Sequence, residues 1–223
     1  MPKSRATAVA LCAGLLLSPL AHAADDCQVA LGRGWPPATE NHGAAVERLL
    51  DGGLTPAVRL TRLPAFAKES GVLLIPGEGQ GDWTLRVAEV DDRVSRWSGG
   101  RLELRTDQSP DAEEVPMPAP LARRLFAAWQ RTFTALVPAD RTAAFHEGPS
   151  SFVVGDLRVS GLEPDCGPGE LVMAQVELLV EASDDGDERR ARRWLELERS
   201  LDELEQTVAG AAAGDAGEAN GND

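Results

Sequence analysis

The first 23 residues constrain this chain more than any later stretch, because they set the redox conditions under which its cysteines meet. Lys3 and Arg5 make a short basic start, residues 8–20 form an apolar run broken by Pro19, and Ala21-His22-Ala23 is a small-x-small cleavage site. This three-part pattern is that of a secretory signal, and the run falls short of the ~20 apolar residues that a spanning helix needs. The expectation is an exported chain, periplasmic or extracellular, whose mature form begins near Ala24. Neither Leu11 before Cys12 nor Asp26 before Cys27 is the small residue that lipid attachment requires.

Export simplifies the cysteine arithmetic. Once Cys12 leaves with the signal, Cys27 and Cys166 are the two that remain. In an oxidising compartment such a pair is expected to form a disulfide, worth about 4 kcal/mol through the long loop it closes. A nucleophilic thiol would need a basic neighbour and a reducing compartment, and the sequence offers neither.

Charge then narrows the partners. The chain carries a formal net charge of −14, and removal of Lys3 and Arg5 makes it about −16. Such a surface repels phosphate backbones and anionic lipid, so neither nucleic acid nor a membrane surface is an expected partner. A basic protein is. The length suits one substantial core or two small ones.

Periodicity divides the chain into four parts: a signal over 1–23, a folded body over 24–183, an acidic hinge and amphipathic helix over 184–208, and an unstructured tail over 209–223. In the body, residues 57–63, 72–75, 83–88, 93–97 and 101–105 read as strands, with Trp83, Leu85 and Val87 alternating against Thr84, Arg86 and Ala88. Residues 41–50 read as a short helix stopped by Gly52-Gly53. A proline-rich acidic stretch over 109–120 reads as a connector. It leads to a helix over 119–136, on which Leu121, Leu125, Ala128, Trp129, Thr132 and Leu136 form one stripe. Two short strands follow about Gly155-Asp156, then a helix over 170–182. Strands and helices are segregated, which predicts an α+β fold: an antiparallel sheet with helices packed on one face, plus a C-terminal amphipathic helix.

That last helix carries Trp194, Leu197, Leu201, Leu204 and Val208 at alternating spacings of three and four, the pattern of a coiled-coil seam. Two uses are open to it: docking on its own domain, or pairing with a partner helix or a second copy of the chain. Trp35 in Gly34-Trp35-Pro36-Pro37 and Trp97 before Ser98-Gly99-Gly100 sit beside loops, where each is a candidate partner contact.

Catalytic signatures are thin. Gly77-Glu78-Gly79-Gln80-Gly81 follows a strand as a phosphate loop would, but a strand rather than a helix comes next, so it reads as a hairpin loop. His146-Glu147 starts like a zinc-protease motif, yet Ser150 stands where the second histidine belongs. No catalytic residue, cofactor site or metal site is assigned. The acidic hinge lacks the alternate-residue spacing of a calcium loop. The reading is a non-enzymatic, acidic protein-binding module of the inhibitor or immunity type. The alternative is an exported hydrolase with paired carboxylates, for which Asp91-Asp92, Glu113-Glu114 and Asp184-Asp185-Asp187-Glu188 are the material.

Overall fold

A computed structural model describes Cys27 and residues 29–219. The expected secretory signal therefore lies outside the described residues. These form nine strands and four helices in the order β1 (Leu31–Arg33), α1 (Glu40–Asp51), β2 (Val58–Arg62), β3 (Ser70–Ile75), β4 (Trp83–Glu89), β5 (Ser95–Ser98), β6 (Arg101–Leu104), β7 (Asp111–Met117), α2 (Ala119–Leu136), β8 (Ser150–Val154), β9 (Leu157–Gly161), α3 (Gly167–Asp184) and α4 (Asp187–Ala219). Seven strands make one sheet in the order β1-β9-β8-β2-β3-β4-β7, antiparallel at every pairing. β5 and β6 stand apart as a two-stranded ribbon. The α+β architecture read from the sequence is the one observed.

Alternation along the strands assigns the two faces. Val58, Leu60, Val72, Leu74, Leu85, Val115, Met117, Phe152 and Val154 are buried in a single core with the apolar faces of α2, α3 and α4. The intervening Leu73 and Ala88 point the other way and pack with Ala45, Val46 and Leu50 of α1. Three long helices therefore cover one face and the short α1 covers part of the other. Gly52, in the left-handed region at φ 61°, ends α1, and the guanidinium of Arg86 donates to the Leu50 carbonyl oxygen at 2.9 Å near that end.

Buried polar groups lock the helices together. Trp129 Nε1 of α2 donates to Gln175 Oε1 of α3 at 2.6 Å, and Gln175 Nε2 donates to Ser200 Oγ of α4 at 3.1 Å. Both polar atoms of the Gln175 amide thus have a partner, so a buried glutamine costs little and fixes the helix register. At the rim, Arg124 of α2 pairs with Asp202 and Glu205 of α4 at 2.5 and 2.8 Å.

Two sequence expectations need correcting. Asp111–Met117, read as a connector, is the strand β7 at the sheet's edge, paired with β4 from Trp83↔Met117 to Glu89↔Asp111. An edge strand bonds on one side only, so it accommodates Pro116 and outward charges that a central strand would reject. The acidic hinge is a tight turn in a helical hairpin: Asp185 and Gly186 separate α3 from α4, and Arg190 Nε donates to the Ala182 carbonyl oxygen at 3.0 Å. Helix α4 itself extends to Ala219. Residues 220–223 lie outside the described residues.

Candidate functional site

The helix-side face of the sheet is not covered to its edge. Two cross-strand rows record where the cover stops. One row runs Leu60, Val72, Val87, Glu113 across β2, β3, β4 and β7; the next runs Arg62, Ser70, Glu89, Asp111. Leu60 and Val72 are buried, Val87 is half-buried, and Glu113 is exposed. Burial therefore fades along a single row as α3 gives way at Val180. The result is an open groove of about 390 Å³, floored by Leu60, Val72 and Val87 and flanked by Val180. That volume lies in the range of ordinary ligand sites.

Four carboxylates rim the groove: Glu89, Asp91, Asp111 and Glu113. Their arrival there follows from the period of two. Glu113 and Asp111 share the face of buried Val115 and Met117, so the strand that anchors two apolar residues in the core presents two carboxylates further along. Adjacent acids are split between faces. Glu114 points to the α1 side and pairs with Arg86, while Glu113 lies in the groove. Likewise Asp92 pairs with Arg105 at 3.0 Å, while Asp91 lines the groove. The cations present are already engaged. Arg62 closes the inner end and is paired with Glu163 at 2.7 Å and Glu177 at 3.3 Å; Lys68 is 3.6 Å from Glu89. An apolar floor bounded by carboxylates at a strand edge can take an extended segment with alternating apolar and cationic side chains.

The sequence-selected residues fall elsewhere. Leu197, Leu201 and Leu204 are fully buried, with Trp194 and Val208 packed against the same core. The seam of α4 is thus spent on α2 and α3 of its own chain. Of the two uses open to the seam, docking on its own domain is the one observed. Its spacing signals burial without saying against what. Cys27 and Cys166 form the expected disulfide, with Cα atoms 5.7 Å apart. The side chain of Trp97 lies outside the described residues.

Trp35 is a packing residue. The Arg158 guanidinium lies 4.1 Å over its ring, and a Cβ on Gly43 of α1 would sit 2.3 Å from the ring's edge. Gly43 is therefore what lets Trp35 lie against the helix. Arg158 in turn pairs with Glu47 at 2.7 Å; Glu47 also meets Arg59 at 3.1 Å, and Arg59 meets Asp51 at 2.5 Å. Burial pushes the Asp51 carboxyl above its ordinary value despite Arg59 beside it. That perturbed carboxylate is held in a packed ion network under α1 and does not line the groove, so it lends no support to paired-carboxylate hydrolysis.

Sequence reasoning missed the groove because it missed β7. The usable signal was Val115 and Met117 alternating with polar neighbours inside the acidic stretch.

No helix of the described residues is long and apolar enough to cross a membrane, and among them no cluster of three or more His, Cys, Asp or Glu residues is placed to hold a metal. No family model, curated protein or solved structure matches the chain.

Proposed function

We propose that the protein is an exported, non-enzymatic binding module, of the inhibitor or immunity type, that takes an extended basic segment of a partner protein into the groove beside β7. The observation that carries this reading is the pairing state of the rim. Asp91, Asp111 and Glu113 have no cation of their own among the described residues, and they border an apolar floor at an open sheet edge. Aliphatic stems of arginine or lysine would cover Val87 and Val180 while their charged heads meet the rim. Main-chain hydrogen bonds to the free side of β7 would supply register. The strong negative charge of the whole chain favours rapid encounter with a cationic partner. The disulfide and the lack of a described membrane-spanning helix are compatible with export.

The experiment is amide chemical-shift mapping with a blocked Val-Arg-Leu-Arg-Val peptide as probe. The reading expects shifts concentrated at Asp111, Ala112, Glu113 and Val180, and at the β4 residues Val87 and Glu89. Shifts scattered over all acidic surfaces, or none, contradict it.

A further inference from the structure

The sheet has two terminal strands, and one of them is open along its length. At β1 the loop before β8 closes the edge at Arg33. The Arg33 amide donates to the Arg141 carbonyl oxygen at 2.7 Å, and the Ala143 amide donates to the Arg33 carbonyl oxygen at 3.0 Å. Among the described residues no such bond reaches the outer side of β7.

The ladder inside the sheet fixes which backbone groups of β7 face outward. The Val90 amide donates to the Glu69 carbonyl oxygen at 3.0 Å, one step beyond the Ser70↔Glu89 pair. Val90 and every second residue before it therefore turn their main-chain groups to β3, while Glu89, Val87 and Leu85 turn theirs to β7. Their partners Asp111, Glu113 and Val115 are thus spent on β4. The residues between, Ala112 and Glu114, hold their N–H and C=O groups outward. Pro116 falls in the same outward set, where its missing N–H costs the ladder nothing, and this agrees with the phase. Prolines also bracket the window: Pro116 ends it on one side and Pro110 precedes Asp111 on the other. A long strand cannot zip along such an edge, but a short one can.

The two faces of this window differ in chemistry. Asp111 and Glu113 line the groove, while Ala112 packs against the cluster on the α1 side that contains Val90 and Val94. Glu114, on that same side, is engaged by Arg86. Pairing two copies of β7 would set carboxylates against carboxylates, so a second copy is a poor occupant.

We infer that the basic segment binds as an added antiparallel strand in one register, with a cation–apolar–cation pattern opposite Glu113, Ala112 and Asp111. The inference rests on the groove reading above and adds direction, phase and motif to it. In this register the middle residue exchanges both main-chain bonds with Ala112 and lays its apolar side chain beside the Ala112 methyl. The two cationic residues stand in non-bonded pairs, where facing side chains are closest, and their own amides point away from β7. A parallel strand would reverse the phase and aim the cationic residues' amides at β7. Antiparallel pairing is the more stable per residue, and it is the pairing at every other step of this sheet.

The test is backbone N-methylation of acetyl-Val-Arg-Leu-Arg-Val-amide, one residue at a time, with affinity for the protein read by calorimetry. Methylating the central leucine is expected to weaken binding by at least about tenfold, because it removes the bond to the Ala112 carbonyl oxygen and wedges a methyl between the strands. Methylating either arginine is expected to change affinity by less than about twofold. The opposite phase, with arginine methylation disruptive and leucine methylation tolerated, identifies a parallel strand and overturns the inference. Equal losses at leucine and arginine, or none at either, mean binding without strand addition; they overturn it while the groove reading stands. Failure of the unmethylated peptide to bind overturns the groove reading, and the inference with it.

Discussion

Glu69 and His42 form a buried carboxylate–imidazole pair, with Glu69 Oε1 2.9 Å from His42 Nε2 and the carboxylate fully shielded from solvent. The pair ties α1 to the strand edge where β3 begins, and Glu69 Oε2 holds the Val94 amide at 3.0 Å. Burial pushes the Glu69 carboxyl up, but the hydrogen bonds from His42 and Val94 outweigh it and leave the group below its ordinary value. A carboxyl depressed in the folded state gives stability that is present above the unfolded value, 4.5, and lost as pH falls through the folded value. Glu69→Gln should flatten the acid limb of the stability–pH curve. Glu69→Ala should cost about 2 kcal/mol at neutral pH by stranding the Val94 amide. Urea denaturation across pH measures both, and an unchanged acid limb in the glutamine variant contradicts the assignment.

The seam of α4 belongs to the core. Leu201→Ala should lower stability by about 3 kcal/mol, as for other fully buried leucines. Leu195, on the outer side of the same helix and 56% exposed, should change it by no more than about 0.5 kcal/mol when cut to alanine. Chemical denaturation of the two variants separates the cases. Equal effects would mean that the helix does not dock.

Glu47 bridges Arg59 and Arg158 under α1, with its side chain 8% exposed. Removing one partner of a buried pair leaves the others uncompensated, so Glu47→Ala should cost about 3 kcal/mol, well above a surface ion pair. The stacking of Arg158 on Trp35 should loosen with it, raising quencher access to Trp35. A stability loss below about 0.5 kcal/mol would falsify the network as a structural support.

Much of this architecture is legible from local patterns because each pattern has one physical cause. The alternation of Trp83, Leu85 and Val87 is set by one buried face of β4, and the stripe on α2 by one buried face of a helix. What escapes such reading is non-local. β7 looks like a linker because half of its residues answer to an open edge; only its pairing with β4 reveals a strand. Trp35 looks exposed because the glycine that receives it, Gly43, lies on the next element. The helical seam of α4 was readable as apolar, but its docking face depended on α2 and α3. The disulfide was readable because removal of the expected signal would leave one pairing of two cysteines.

The groove beside β7 is the centre of the functional account, and its charge makes the account measurable. The direct test is the dissociation constant of the blocked Val-Arg-Leu-Arg-Val peptide, at low and at physiological salt, for the native protein and for the Asp111→Asn/Glu113→Gln double variant. Both positions are exposed, so the variant should fold normally. The account predicts binding that weakens with salt in the native protein, and a loss of about tenfold in the double variant. Equal affinity for native and variant proteins, with the same salt dependence, would contradict it.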